Sequence, residues 1–161
     1  MEPTIITTIV STAAISILAS ISFTQFRALR RQMSFGAVLK LMDDLDDEPA
    51  RKDRELIYRL VSQGVTPELV TRIDADVTER HNKYAIERTI KNLDKVGFVL
   101  LRGYGRREEA PAWIWERALN MWQRLAPFVT HFRTQPGRQT YALYFEEVAK
   151  EAEKRMGKKR G

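Results

Sequence analysis

Cysteine is absent from the 161 residues, which excludes disulfides, thiolate metal ligands and thiol nucleophiles. A domain of this size does not need disulfides, so their absence only leans towards a reducing compartment. Histidine occurs twice, at His81 and His131. His81 and Glu87 lack metal-ligand spacing, and no HExxH occurs. Neither histidine adjoins a nucleophile elbow, and both read as surface or rim residues. Glycine and proline are few, at 8 and 6, while Leu, Ala, Glu, Lys and Arg are abundant. That is a helical composition. Gly103-Tyr104-Gly105-Arg106-Arg107 superficially resembles a phosphate loop, but it lacks the Lys-Ser/Thr of a P-loop and a preceding strand. No catalytic, cofactor-binding or metal residue is expected.

A second absence sets the topology. No charged residue occurs from Thr4 to Phe26, a stretch of 23 residues. At about 1.5 Å per residue, such a helix covers a hydrocarbon core of about 30 Å. Nine of its positions are Ser or Thr, tolerable in lipid because their hydroxyls bond back to the helix's own carbonyls. Arg27, Arg30 and Arg31 follow it, and positive flanks stay on the cytoplasmic side. The rival readings are a cleaved signal peptide, which wants a positive start and a short apolar stretch, and a buried core helix, which is usually shorter or has a polar face. The location expected is the cell membrane, single-pass, with the amino terminus outside and the carboxy-terminal body cytoplasmic. Thr8, Thr12, Ser16, Ser20 and Thr24 recur every four residues, the spacing of a small-residue stripe that lets membrane helices pair. The same row also arises by chance in a Ser/Thr-rich segment.

The charge lies elsewhere. All 27 Lys and Arg residues stand at or beyond Arg27, and the formal net charge is +6. The acidic run Asp43-Asp44-Leu45-Asp46-Asp47-Glu48-Pro49 lacks the glycine of an EF-hand loop. It reads as a turn whose acids cap the next helix. A helix is expected over roughly 49–63, with Ala50, Asp53, Leu56, Ile57, Leu60 and Val61 on its inner face and Gly64 closing it. Thr66 is then an N-cap, with Pro67 at the first helical position. Apolar residues recur at threes and fours from Leu69 to Leu100, predicting one long helix to about Leu101 with a break around His81-Asn82. Gly97 inside it implies either the close approach of a neighbouring helix or a local helix end. Pro111 opens the most apolar helix, which Pro127 should bend. Trp113 and Trp115 on that helix cannot both face one core, so one is expected at a contact surface. A last helix runs from about Tyr141 into a tail with Lys154, Arg155, Lys158, Lys159 and Arg160.

Trp122, Pro127, Arg133, Tyr141, Phe145 and Glu146, with Asp94, Gly97 and Gly103 upstream, carry a resemblance. Over about Phe35 to Glu153, the chain resembles a family of small prokaryotic membrane-anchored helical proteins of unknown function. The resemblance implies an anchor and a helical cytoplasmic body, and no activity or cofactor. Asp94, Arg133 and Glu146 stand among apolar neighbours on three expected helices. They form either an ion-pair network that fixes helix register or three separate solvated charges.

The expected class is therefore all-α, with one amino-terminal transmembrane helix over 1–26. A cytoplasmic bundle of about four to five helices follows over 27–161. The function expected is that of an anchored interaction or scaffold protein rather than an enzyme. Its partners are the lipid bilayer and either a protein or a second copy through the membrane helix. The alternative is a membrane-associated nucleic-acid-binding protein using Arg102, Arg106, Arg107 and the tail. The same tail also suits anionic headgroups.

Overall fold

The computed structural model describes residues 21–26, 36, 38–62, 64–102, 107 and 110–158. The chain divides into two compact units, Met1–Gly36 and Ala37–Gly161. In the first, residues 21–26 are helical and exposed. The Thr24 hydroxyl donates to the carbonyl of Ile21 at 2.8 Å, so it is satisfied within its own helix. Thr8, Thr12, Ser16 and Ser20 lie outside the described residues, as does most of the expected anchor. Among the described residues, no helix is long and apolar enough to cross a membrane.

The second unit is all-helical among its described residues. A helical stretch over 38–46 ends at a bend at Asp47. Then come α1 (Glu48–Leu60), α2 (Pro67–Ala75), a 3-10 turn (Val77–Glu79), α3 (Arg80–Leu101), α4 (Ala112–Arg133) and α5 (Leu143–Lys158). Local chemistry sets several boundaries. The Asp47 carboxylate accepts from the Ala50 N–H at 2.7 Å, capping α1. Thr66 does the same for α2, accepting from the Leu69 N–H at 3.2 Å. Gly64, at φ +94°, makes the turn between them in a region that side chains disfavour. At the end of α3, the Arg107 guanidinium donates to the carbonyls of Leu100 and Leu101 at 3.3 and 3.0 Å. Carbonyls in the last turn of a helix are the ones that need a partner from outside it.

The long second helix of the sequence reading is two helices. The break is at Asp76, five residues before His81. The Asp76 carboxylate accepts from the backbone N–H and the hydroxyl of Thr78, at 2.8 and 2.7 Å. This local turn competes with helix continuation and wins. Pro127 lies inside α4, which runs on to Arg133.

The core sits between α3, α4 and α5. Phe128, Phe132, Phe145, Met121, Ile86 and Ile90 are fully buried. α5 packs on both α3 and α4, α1 packs on α3, and α2 bridges α3 and α4.

Candidate functional site

The start of α5 gathers the residues that stood out in the sequence. Gly97 is buried where α3 meets α5, and a Cβ there would lie 2.2 Å from the Tyr144 carbonyl oxygen. The glycine is the close approach, and α3 does not end at it. One turn earlier on α3, Asp94 accepts from the Phe145 N–H at 2.9 Å. It thereby serves as an N-cap supplied by a different helix. Arg133, at the end of α4, donates to the carbonyls of Tyr141 and Ala142 at 2.8 and 3.4 Å. It also holds the Glu146 carboxylate at 2.7 Å. Lys150 reaches the other Glu146 oxygen at 2.5 Å. Lys150 first and Arg133 second hold the Glu146 carboxyl below its ordinary value, against the opposing effect of burial. So Arg133 and Glu146 touch, while Asp94 joins the same corner through the backbone of Phe145 rather than through a charge pair.

The chain inside that corner is strained. Ala142 has φ +57°, the left-handed region that costs a residue with a Cβ about 1 kcal/mol or more. Its carbonyl accepts from the Glu146 N–H at 3.2 Å and so begins α5. Arg133 grips the two carbonyls of this turn. Trp122 and Phe145 meet edge-to-face beneath it, with ring centres 5.1 Å apart.

Both tryptophans of α4 pack on the same core, to different depths. Trp115 is buried, with the Arg155 guanidinium 4.2 Å from its ring centre. Trp113 is half-buried at the core's edge, with Arg117 at 4.5 Å. Arg117 also bonds Asp46 at 2.7 Å, tying α4 to the acidic run.

Against this geometry, no family model, curated protein or solved structure matches the chain.

Two further clusters have no counterpart in the sequence reading. Asp53, on the inner face of α1, is almost wholly buried and is gripped by Arg88 of α3 through two bonds of 2.5 and 2.6 Å. The pairing raises the Arg88 pKa above its ordinary value. A charge at an inward position was the available signal, but nothing marked which cation would answer it. Asp74 is the second hub. It accepts from Gln135 and shares a bond with His131, both at 2.9 Å, with the Lys83 ammonium 2.7 Å from its other oxygen. Burial pushes the Asp74 carboxyl up, but Lys83 and His131 outweigh it and hold the group below its ordinary value.

His131 also lines a groove of about 510 Å³ between α2 and α4, with Val65, Pro67, Val70, Ala126 and Pro127 among its walls. A hydrogen-bonded His–Asp pair beside a groove is half of a catalytic arrangement. A nucleophile beside the imidazole would complete it. The nearby hydroxyls are otherwise committed: Thr71 donates to the Pro67 carbonyl and Thr130 to the Ala126 carbonyl, both at 3.0 Å. The cluster therefore ties α2 and α3 to α4. Among the described residues, no group of three His, Asp or Glu side chains could hold a metal ion.

Proposed function

We propose that the chain is a membrane-anchored interaction protein, presenting a helical cytoplasmic body to a protein partner. The observation that carries this reading is the uncharged stretch from Thr4 to Phe26, followed at once by Arg27, Arg30 and Arg31. In a bilayer, such a stretch holds whatever follows it at the surface. The body's polar chemistry supports the second half of the reading. Asp53, Asp74, Asp94 and Arg133 each join one helix to another or fix a turn. Together they join the helices of the body to one another. The edge of that surface at Trp113 offers a half-buried tryptophan with a stacked arginine, the residue types most enriched where partners dock. The Ser/Thr row from Thr8 to Thr24 supplies a second route, pairing of two copies through the membrane helix.

The test is partner capture from membranes. A photo-crosslinking amino acid at Ala112, exposed beside Trp113, should yield a discrete adduct in cells, and Trp113→Ala should weaken it about tenfold or more. A full-length protein that stays monomeric in detergent and gives no adduct from this edge would sink the reading.

A further inference from the structure

Along α3, the exposed positions form one line. His81, Tyr84, Arg88, Lys91, Lys95, Phe98 and Arg102 recur at alternating intervals of three and four, and every one is exposed. That spacing keeps them on a single helical face, about 31 Å long. Not one is acidic, although the chain carries 21 Asp and Glu. Two aromatic rings interrupt the cations: Tyr84, 59 % exposed, and Phe98, 40 % exposed. We propose that this face of α3 binds single-stranded nucleic acid, its cations on successive phosphates and its aromatic rings against unpaired bases.

Each element fits that ligand. Arg88 engages Asp53 through Nε and Nη2, which leaves its Nη1 hydrogens for an anion. The buried carboxylate thus fixes the guanidinium in place without occupying all its donors. Lys91 stands 3.9 Å from Glu87, a loose pair that a phosphate readily displaces. Arg102 bonds the Tyr144 hydroxyl at 3.0 Å, and Tyr144 meets Phe98 edge-to-face with ring centres 5.2 Å apart. The far end of the stripe is therefore held in shape by the same corner that begins α5. Base–aromatic stacking tolerates any sequence, because every base has a π-face.

The form of the stripe selects among anionic partners. A flat anionic membrane would also meet Glu48 and Glu55, which together with Lys52 and Arg59 border the groove that His81 and Arg88 share with α1, Glu48 being paired with Lys52 at 2.7 Å. A strand following the line of cations is free to avoid them. A docking helix would need a continuous apolar seam, and only two of the seven positions carry large apolar rings. Duplex bases are stacked on one another and have no free face for Tyr84 or Phe98.

The test uses the full chain in detergent and a fluorescein-labelled oligothymidine, read by anisotropy across a salt series. Binding should appear at low salt, with log K falling against log salt at a slope of about −2 to −3, as for three to four phosphate contacts on a single strand. Lys91→Glu with Lys95→Glu should weaken binding at least tenfold and flatten the slope by about 1.4. Tyr84→Ala should weaken it by roughly fivefold or more through lost stacking, at unchanged slope. If the double reversal lowers the melting temperature, Lys91→Gln with Lys95→Gln replaces it, with the same slope change expected. Three results would overturn the proposal: no binding at low salt, unchanged affinity in the double variant, or, with the chain's anchor already in nanodiscs, loss of oligonucleotide binding when the lipid is changed from phosphatidylcholine to phosphatidylserine.

Discussion

Gly97→Ala should lower the melting temperature by roughly 6–20 °C. In an exposed helix, this substitution stabilises by about 0.5–1 kcal/mol, because alanine has less backbone freedom to lose. Here the sign reverses. The added methyl group would stand 2.2 Å from the Tyr144 carbonyl oxygen and 2.5 Å from its carbon. Those atoms are backbone and cannot rotate away. α5 has to withdraw by about an ångström, which strips contacts from Phe145 and Val148 in a close-packed interior. Overpacking of this kind costs 1–3 kcal/mol and sometimes more. With Asp94 losing its bond to the Phe145 N–H as α5 moves, a net loss of about 2–4 kcal/mol follows. At roughly 3–5 °C per kcal/mol for a body of this size, the fall is easily read by circular dichroism. A rise in melting temperature would mean that the two helices do not cross at this point.

Arg133→Met should cost about 2–3 kcal/mol, or roughly 6–15 °C. Methionine keeps the packing volume but removes every donor. The Tyr141 carbonyl then loses the partner that holds the strained Ala142 turn, and Glu146 keeps only Lys150. Charge-assisted bonds are worth more than neutral ones, but this pair is about a quarter exposed, which screens part of the gain. The loss should also depend on pH. Glu146 has a folded pKa below its unfolded one, so its contribution is present above the unfolded value and is lost as pH falls through the folded value. The gap between wild type and Arg133→Met should therefore narrow below about pH 4.5 while the backbone share of the loss persists. A gap constant from pH 7 to pH 3 would show that the carboxylate has no part in it. An unchanged melting temperature at pH 7 would dismiss the corner altogether.

What could be read in advance was what lies close together in the chain. Thr66-Pro67 marked the start of α2 because a cap and its helix are neighbours, while for α1 the acidic run was legible but not that Asp47 within it is the cap. Gly97 was legible as either a close approach or a helix end, but not which residue approached. The break at Asp76 escaped because Val77 and Tyr84 continued the apolar rhythm. Both turn out to be strongly exposed, at 72 and 59 %. Helical spacing reports a face without saying whether anything covers it. The joints between helices were the least legible. Asp53 with Arg88 and Asp74 with His131 are 35 and 57 residues apart, and only the fold brings such partners together. Asp94 and Arg133 were singled out as charges at apolar positions. Their actual acceptors and donors are largely main-chain groups, which leave no trace in side-chain pattern.

The claim on which the functional reading rests is that the uncharged amino-terminal stretch lies in a bilayer with the body on the inner side. The absence of cysteine makes this directly measurable, since any single introduced cysteine is the only thiol. Glu2→Cys should react with a membrane-impermeant maleimide in intact cells. Glu153→Cys, exposed on α5, should react only after the cells are opened. Both variants should stay in the membrane pellet through an alkaline wash. Labelling of Glu153→Cys in intact cells, or release of the chain by the wash, would contradict the account.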